Sequence, residues 1–583
     1  MKLNLSFQAF LHTMLEVGRR FPVTSVLAVL GTIFGVWVAE KDHNAWALRI
    51  LLTAILFFPV SIAVRQIEKQ NYPQWFKIAS NVFGLLLLVV FFVFYSNGHQ
   101  YFEKDIIRYI MWFGLAVASM SVAPFLKYSR APIEYWEYNK HIVYAIVFSF
   151  AYSAVVFIGL AIALAAVNEL FSLNLNPELW LQLWAIIVGL FSTTIFLSKY
   201  PTELQTSGDD FPKEIRLLGG AVGLSLVCIY FLILYSYTLK IVISNEWPKG
   251  VISTLIVGFS TVGLITFALL YPLFLKEKKY KKIFTILFAS FIPQTFVLFY
   301  AVYIRYREYG LTENRYLLIA FGVWLCLVSV YFLVSKFKDL KVIPYSLIVA
   351  LLIASVSPLS AFNLSERDQF TRLKNLLVAN NILIGNQIAP GPHNIPYEVK
   401  SKIFSILNYL DRYHGLAAVS KLLPEGTQMA DSKVCREQGR GCFSYVAKYI
   451  GISNAPMDIR SDYFYFNIFK PSPMAYDIRE YDYMVEDSSE IKVGQDRYTF
   501  YLDREKYRYD VLKNSQVISQ VDLTGFIENL KSKYFDMSEK GFSQEEMSVT
   551  HSDNKVDIKI YFEYITLIDQ KVESHDWKLV KFK

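Results

Sequence analysis

Residues Ile142 to Val167 read IVYAIVFSFAYSAVVFIGLAIALAAV, a continuous apolar run without a charged side chain. The hydrocarbon core of a bilayer is about 30 Å thick, and roughly 20 apolar residues cross it as an α-helix. In a water-soluble protein this run would need burial on all sides. We therefore interpret it as a helix that spans a membrane.

Similar runs alternate with short polar loops over residues 1–362. The chain is 54% hydrophobic and 19% charged, whereas soluble proteins have about 45–50% apolar and about 25% charged residues. Residues 363–583 are charged throughout and hold no run long enough to span. These patterns predict a polytopic α-helical membrane bundle of about eleven spanning helices, followed by a soluble α+β domain. The predicted spans are Phe21–Ala39, Trp46–Val64, Trp75–Tyr95, Ile106–Leu126, Ile142–Val167, Leu179–Ser198, Leu217–Leu239, Val251–Leu275, Ile283–Ile304, Leu317–Ser335 and Val342–Phe362.

The predicted orientation follows from the Lys and Arg residues in alternate loops, because cytoplasmic loops are enriched in them. One set of loops holds 20 of these residues and the other set holds 9. The richer set includes the N-terminus, so we expect the N-terminus in the cytoplasm, with the chain in a bacterial cytoplasmic (inner) membrane. An odd number of spans then places residues 363–583 in the periplasm.

The soluble domain shows both strand and helix patterns. Apolar and polar side chains alternate from Val556 to Tyr564, a period typical of a half-buried strand. Weaker strand patterns lie at Arg460–Phe469, Arg497–Leu502 and Trp577–Phe582, and helices are expected at Leu364–Ile384, Tyr397–Tyr413, Leu416–Leu423 and Leu523–Phe535. A domain of about 200 residues is large enough for a core of its own.

The net charge of +8 does not indicate a nucleic-acid partner. The excess Lys and Arg lie in the loops between apolar runs, and the soluble half has no basic stripe with interleaved aromatic residues. The expected partners are membrane lipid and a small-molecule or lipid substrate. The sequence names no protein partner.

Cys435 and Cys442 lie close together in the stretch CREQGRGC. The periplasm is oxidising, and two glycines help so short a loop to close, so we predict a disulfide between them. A zinc site is the weaker alternative, because the spacing is not Cys-x-x-Cys and no paired His lies nearby.

Motifs of enzymatic chemistry are scarce. The sequence holds no Gly-x-Ser-x-Gly elbow, no Walker loop and no His-Glu-x-x-His, and its eight His residues lack metal-ligand spacing. We therefore predict no metal site and no cofactor and identify no catalytic residue, so these motifs do not favour an enzyme. Ionisable residues are nearly absent from the middle of the spans, which argues against a proton pump built on buried acids.

Glycine and proline positions predict local features of the spans. Gly219 and Gly223 have the small-x-x-x-small spacing that suits close helix packing. Prolines within the spans tend to kink helices, and broken helices can line transporter sites, although proline is also tolerated in ordinary spanning helices. These prolines are Pro59, Pro124, Pro272, Pro293 and Pro358.

Binding candidates lie in one span and one loop. Gln294, beside Pro293, is one of the main polar side chains deep in a span. The loop between predicted spans nine and ten contributes Arg305, Arg307, Glu313, Asn314 and Arg315. Its three Arg could hold an anion such as a lipid phosphate, or dock the soluble domain. The alternative is an ion-paired loop in which Thr312 caps span ten and Glu313 lies in its first turn.

The same loop is predicted to pack against the start of the soluble domain. Only Lys336–Lys341 separates spans ten and eleven, so they form a hairpin, and the loop and Asn363–Gln369 emerge on the same face of the membrane. Neighbouring helices lie about 8–10 Å apart. Glu366 and Asp368 would then be close enough to pair with the arginines of the loop.

Two stretches resemble a known family. YGLTENRY at Tyr309–Tyr316 and PLSAFNLSERDQFTRL at Pro358–Leu373 are similar to motifs of the bacterial membrane proteins grouped as domain of unknown function 4153. The resemblance covers the membrane half and the start of the soluble half. It implies a multi-pass membrane protein and supplies no activity or catalytic residue.

Three function classes remain open from the sequence. The first is transport, or lipid- or envelope-related handling, of a small or amphipathic substrate, with the kinked bundle as the pathway. The second is an envelope sensor or scaffold whose soluble domain is a binding module, and the third is a membrane-embedded transferase. About eleven spans exceed what an anchor requires, which favours the first class.

Overall fold

The computed structural model describes the chain except residues 1–6, 41–44, 71, 97–102, 127–131, 174, 202–210, 245–246, 248–249, 336–337, 391–395, 425–441, 452–462, 468–477, 487–489, 505, 538–541 and 569–570. The chain divides into two compact units, Met1–Asp368 and Gln369–Lys583. The first unit is helical, and the second combines helices with β-sheets.

The helices of the first unit follow the apolar runs of the sequence. They are α1 Phe7–Arg20, α2 Pro22–Val38, α3 Ala45–Lys69, α4 Gln74–Ser96, α5 Glu103–Val122, α6 Pro132–Phe171, α7 Glu178–Ile186, α8 Thr193–Lys199, α9 Lys213–Ile215, α10 Leu224–Ser244, α11 Val251–Leu269, α12 Tyr271–Lys276, α13 Lys278–Tyr309, α14 Glu313–Val334, α15 Val342–Val356 and α16 Ala361–Ala379, the last of which continues into the second unit. Two stretches are π-helical: π1, Ile187–Ser192, joins α7 to α8, and π2, Arg216–Gly223, joins α9 to α10.

Eight helices within the described residues are long and apolar enough to cross a membrane. The bent pair α15 and α16, with 41° between its two helices, makes nine if it counts as one span. α2 and α4 lie on predicted spans but are shorter apolar helices in their described lengths. The expectation of eleven spans is therefore confirmed only as a multi-span bundle. α2 rises about 25 Å at 1.5 Å per residue, which is less than the hydrocarbon thickness of about 30 Å.

The bundle contains two groups of packed helices. In the first group α3 packs against α2, α4 and α5, and α2 packs against α7; in the second group α11 packs against α10 and α13, and α13 packs against α14. α15 contacts both α5 and α14, and α6 contacts both α8 and α12, so these two helices connect the groups. The second group has an aromatic core in which the buried Phe267 ring makes edge contacts with Phe284, Phe288 and Phe332.

Glycines in π2 let it approach the end of α11 closely. A Cβ on Gly219 would lie 2.7 Å from Leu270 Cδ2, and a Cβ on Gly223 would lie 2.8 Å from Thr266 Oγ1. A larger side chain at either position would have to displace the side chain of Leu270 or Thr266. The packing role predicted for this glycine stretch is confirmed.

The second unit begins with a small helical core. The later turns of α16 contribute Leu373 and Leu377, which pack with Leu407 and Val446. The other elements of this region are the hairpin strands β1 Leu383–Ile384 and β2 Gln387–Ile388, followed by α17 Tyr397–Tyr413, α18 Ala417–Ser420 and α19 Cys442–Ile450. The helices predicted at Leu364–Ile384 and Tyr397–Tyr413 are thus found as α16 and α17.

Two antiparallel sheets form the rest of the second unit. One sheet has the strand order β3-β10-β11-β4, with β9 also paired to β10, and the other is the meander β5-β6-β7-β8. The strands are β3 Tyr463–Asn467, β4 Tyr483–Glu486, β5 Glu490–Val493, β6 Asp496–Asp503, β7 Arg508–Lys513, β8 Gln516–Asp522, β9 Ser548–Ser552, β10 Val556–Ile568 and β11 Lys571–Phe582, with helix α20 Thr524–Met537 between β8 and β9. The predicted strands appear as β3, β6, β10 and β11, and the α+β class is confirmed.

A buried ion pair connects the two sheets. Lys578 Nζ on β11 lies 2.6 Å from Asp576 Oδ2, and both residues are 3% exposed. From the other sheet, the Tyr509 hydroxyl donates to Asp576 Oδ1 at 2.9 Å, and the Phe500 ring centroid lies 5.8 Å from the Lys578 ammonium. Removal of either charged partner would leave the other buried without its counter-charge.

Candidate functional site

A cluster of charged residues lies at the face of the bundle where α5 and α14 begin, which we call the junction face. Arg108 on α5 lies over the Phe362 ring at 4.5 Å from its centroid and 3.7 Å from Asp105 Oδ1. The helix positions of Lys104 and Arg108 are four apart, so both lie on one side of α5.

Acidic residues of two other helices face these cations. The Lys104 ammonium interacts electrostatically with the carboxylates of Glu366 on α16 and Glu313 on α14. Glu313 is 1% exposed, although it stands in the first turn of its helix, where the helix dipole also favours a negative charge. The cluster therefore brings together α5 of the first helix group, α14 of the second group and the start of α16.

Asp368 holds the loop between α13 and α14 against α16. The backbone N–H of Leu311 donates to Asp368 Oδ2 at 2.7 Å, and the Tyr306 hydroxyl donates to Asp368 Oδ1 at 3.3 Å. The loop turns at Gly310, whose φ of 76° favours glycine. We name Lys104, Arg108, Glu313, Glu366 and Asp368 the junction cluster.

The expected proximity of the loop and the segment after α15 is observed. Besides the contact of Leu311 with Asp368, the Tyr316 hydroxyl donates to the Leu359 carbonyl at 2.7 Å. The two stretches that carry the family resemblance thus meet in space. Within the loop, Arg315 Nη1 donates to the Gly310 carbonyl at 2.6 Å.

The remaining predicted binding residues do not share one environment. Arg307 and Asn314 are exposed, and Arg305 is half-buried in the last turns of α13. Gln294 lies eleven residues before Arg305 on the same helix, about 16 Å away along the axis. Thr312 is the residue before α14, but its side chain makes no capping hydrogen bond.

Gln294 belongs to a contact between α10 and α13. It is 1% exposed, and Thr238 on α10 donates to its Oε1 at 3.3 Å. One turn away, the Tyr235 hydroxyl donates to the Ser290 carbonyl at 2.7 Å, close to the backbone bond that Pro293 removes. These contacts indicate that Gln294 fastens two helices where α13 carries a proline.

At the opposite face of the bundle, tyrosine hydroxyls surround the end of α5. The 3₁₀ turn Ala123–Phe125 contains Pro124 and leaves backbone carbonyls without helical partners. Tyr345 donates to the Phe125 carbonyl at 3.2 Å, and Tyr138 and Tyr200, whose hydroxyls are 2.7 Å apart, both reach the Met120 carbonyl. We name Tyr72, Tyr135, Tyr138, Tyr200 and Tyr345 the tyrosine cluster.

At the same face, α11 and α12 make hydrogen bonds with α6 and with the loop before α15. The Trp136 indole on α6 donates to the Ala268 carbonyl on α11 at 2.8 Å, and the Tyr271 hydroxyl donates to the Lys338 carbonyl at 2.6 Å. Sequence reasoning missed this cluster, because tyrosines near span ends are expected in any interfacial aromatic belt. It also missed Lys104 and Arg108. Their four-residue spacing places both on the side of α5 that carries the apolar Met111, and this pattern could have indicated that they face the bundle.

Other chemistry in the described residues is limited. Within the parts of the chain that the structure describes, no group of three His, Cys, Asp or Glu side chains could hold a metal ion. The predicted disulfide lies outside the described residues, since it involves Cys435. Cys228 and Cys326 are free.

Ser519, Asp553 and His551 have the composition of a hydrolytic triad but not its order. Ser519 Oγ donates directly to Asp553 Oδ2, and His551 Nε2 lies 3.4 Å from the same oxygen, whereas a triad needs the imidazole in the centre. Burial opposes the Asp553 charge, but hydrogen bonds from Ser519 and from the N–H groups of Lys555 and Val556 outweigh it and hold the pKa of Asp553 below its usual value. The carboxylate is therefore a turn anchor.

Comparison with known proteins supports the family resemblance. The family model described as "Domain of unknown function (DUF4153)" matches residues 24–377, which include both stretches that meet at the junction face. The "Uncharacterized protein PM1469" of Pasteurella multocida (strain Pm70) is similar to the chain, with 22% identity over 385 residues. That match covers 64% of this chain and 62% of the relative, so the chain spans less than two thirds of the relative's length. No solved structure matches the chain.

Because the family model covers more than half of the chain, the protein belongs to the family described as Domain of unknown function (DUF4153).

Proposed function

We propose that the protein is a carrier that moves a small or amphipathic substrate across a bacterial cytoplasmic membrane by opening at one face and then at the other. The observation that supports this proposal is the presence of polar interactions between helices at both faces of the bundle. At the junction face, Lys104 on α5 and Glu313 on α14 carry opposite charges that attract each other. The tyrosine face joins α6 to α11 through Trp136.

Polar contacts at both faces suit alternating opening because they can exchange partners with water. Lys104 is only partly buried, so water can replace its carboxylate partners when the face opens, and the buried Glu313 becomes hydrated in the same step. The aromatic core around Phe267, in contrast, stays packed and keeps the second group a rigid body. Rigid groups that rock about a site between them are the usual route to alternating access.

The substrate class follows from the scarcity of charge within the spans. A carrier of strongly charged solutes needs counter-charges near the middle of the membrane. The buried polar side chains there are neutral, as in Gln294 and Ser260. A neutral or amphipathic molecule is therefore the proposed substrate.

The proposed orientation places the junction face and residues 363–583 in the periplasm. The loops at the opposite face hold 20 Lys and Arg residues, and those at the junction face hold 9, which favours a cytoplasmic location for the richer set. The N-terminus would then lie in the cytoplasm.

An envelope sensor is the second candidate, and α16 is the observation that favours it. Its first turns contribute Phe362 to the core beneath the junction cluster, and its later turns contribute Leu373 and Leu377 to the core of the second unit. A ligand of the second unit could act on the junction cluster through this continuous helix.

Thiol labelling in intact cells tests the carrier proposal. Met111, 6% exposed, lies in the core beneath the junction cluster. In a chain without its four native cysteines, Met111→Cys should react slowly with a membrane-impermeant maleimide, and Lys104→Ala should raise the rate at least tenfold, because the junction face opens more often.

The matched control is Lys104→Arg, which keeps the charge and should label at the rate of Met111→Cys alone. A cysteine at the exposed Glu40 reports that the reagent reaches this face. If Met111→Cys stays unlabelled with Lys104→Ala while Glu40→Cys labels fully, the junction cluster does not open and the carrier proposal is wrong.

A further inference from the structure

A set of buried hydroxyl groups, which we call the hydroxyl seam, lies on α2 and α6, two helices that each pack against π1. Thr32 on α2 and Ser149 and Ser153 on α6 are all buried. In π1 a Cβ on Gly189 would lie 2.0 Å from Thr32 Oγ1, so the threonine hydroxyl rests directly on the π-helical backbone. α6 packs against π1 as well.

The register of α6 against the helix that contains π1 places both serines at this level. The hydroxyls of Tyr138 and Tyr200 meet at 2.7 Å, and the two helices run antiparallel. Equal numbers of residues separate Tyr138 from Ser149 and Gly189 from Tyr200. Ser149 therefore lies opposite Gly189, to within about one helical turn, and Ser153 lies one turn further along α6.

Ser153 differs from the other hydroxyls of the seam. Thr32 Oγ1 donates to the Ala28 carbonyl at 2.8 Å, and Ser149 Oγ donates to the Ile146 carbonyl at 2.9 Å, as hydroxyls in spanning helices commonly do. Ser153 is 6% exposed, and within the described part of the chain its Oγ has no hydrogen-bond partner. A buried hydroxyl without a partner costs about 1–3 kcal/mol, a cost that a bound ligand would offset.

The π-helical turn adds backbone oxygens to the seam. A π-helix departs from the regular α-helical hydrogen-bond pattern and often marks a functional position. Thr193 Oγ1 donates to the Gly189 carbonyl and lies 3.2 Å from the Leu190 carbonyl. The Thr193 hydroxyl and the carbonyls of Gly189 and Leu190 thus form a group of oxygens at π1.

The chemistry of these donors selects the ligand. All are neutral hard oxygens, and residues 22–38, 142–164 and 179–198 contain no Asp, Glu, His or Cys. A divalent ion or a proton would need a carboxylate or an imidazole. Carbonyls of interrupted helices together with hydroxyls coordinate Na⁺ in membrane carriers.

The geometry points to a sodium site in the hydroxyl seam, formed by Thr32, Ser153 and the backbone carbonyls of π1. The site goes beyond the proposed carrier function and stands on separate observations. In a carrier it would supply a driving ion, and in a sensor it would fix the angle between α7 and α8.

Thermal unfolding of the purified full-length protein in detergent tests the site. The melting temperature should rise with NaCl in a saturable way and should not rise with choline chloride at equal ionic strength, because only the native state binds the ion. Ser153→Ala should shift the half-saturating NaCl concentration upward at least tenfold.

Ser260→Ala is the matched control. Ser260 is also a fully buried hydroxyl in a span, but it donates to the Ile256 carbonyl of its own helix at 2.7 Å, so this variant should keep the sodium response of the wild type. Equal melting in NaCl and choline chloride, or a normal response of Ser153→Ala, would overturn the proposal. Equilibrium binding of ²²Na⁺ to the wild-type protein decides the matter if Ser153→Ala does not fold, since absence of binding would also overturn it.

Discussion

Replacement of Asp368 by Ala should loosen the loop between α13 and α14 from α16. The change removes the acceptor of the Leu311 N–H, 2.7 Å away, and of the Tyr306 hydroxyl, 3.3 Å away. A hydrogen bond to a charged group contributes about 1.5–3 kcal/mol to stability. Asp368→Asn keeps an oxygen acceptor but loses the charge, so it should have roughly half of this effect.

The size of the unit converts this energy into a shift in melting temperature. Unfolding entropy is about 2.1 cal/mol/K per residue, and the first unit ends at Asp368, which gives about 0.8 kcal/mol/K. We therefore expect Asp368→Ala to lower the melting temperature by about 2–4 °C. Intrinsic tryptophan fluorescence of the protein in detergent measures it.

Hydrogen exchange tests the same contact directly. The amide of Leu311 should exchange at least tenfold faster in Asp368→Ala than in the wild type, because its acceptor is gone. Glu169→Gln is the control, since it removes an exposed carboxylate on α6 and should leave both readouts unchanged. Unaltered melting together with unaltered exchange around Leu311 would refute the role given to Asp368.

Three further predictions concern other parts of the molecule. Gly223→Ala should destabilise the protein by about 1–3 kcal/mol through overpacking. Gly159→Ala is its control and should not lower the melting temperature, because the added Cβ would meet open space. Equal effects of the two variants would contradict the close approach of π2 to α11. Lys578→Met should lower the stability by about 3–5 kcal/mol, because it leaves Asp576 buried without its counter-charge. Adding Asp576→Leu should recover most of this loss in a melting experiment. A double variant that is no more stable than Lys578→Met would argue against the ion pair. Asp553 has a lowered pKa, so its contribution to stability is present above about pH 4 and is lost as the pH falls further. Asp553→Asn should therefore flatten the fall in melting temperature between about pH 5 and pH 3. An unchanged pH profile would contradict the anchor role.

The architecture could be predicted from the sequence more fully than the polar clusters could. Apolar runs such as Ile142–Val167 located helices because the hydrocarbon thickness fixes their length. The number of spans was less certain, since α2 is short and α15 bends before α16. In the second unit, the alternation from Val556 to Tyr564 identified β10, whereas short strands such as β4 and β5 carry too few residues for a clear period.

The junction face was predicted in part. The hairpin of two spans placed the α13–α14 loop beside Asp368, and that proximity is observed. The sequence did not predict the backbone N–H of Leu311, at the turn after Gly310, as a donor to this carboxylate. Lys104 and Arg108 were missed since a charged residue near a span end fits an extended, interfacial side chain equally well.

The seam beside π1 could not be read from the sequence. Ser149 and Ser153 in a spanning helix are compatible with ordinary bonding to carbonyls of the same helix. Only the close approach of Gly189 to Thr32 and the buried Ser153 Oγ distinguish this position.

Distance measurements at the two faces test the central claim most directly. In the chain without native cysteines, spin labels at Ile106 and Tyr303 report the junction face, and labels at Trp75 and Leu275 report the opposite face; all four positions are exposed. Double electron–electron resonance in lipid nanodiscs should give two distances for each pair, and Lys104→Ala should shift the Ile106–Tyr303 pair toward the longer distance and the Trp75–Leu275 pair toward the shorter one. A single narrow distance at each face, unchanged by Lys104→Ala, would show a rigid bundle and contradict the carrier account.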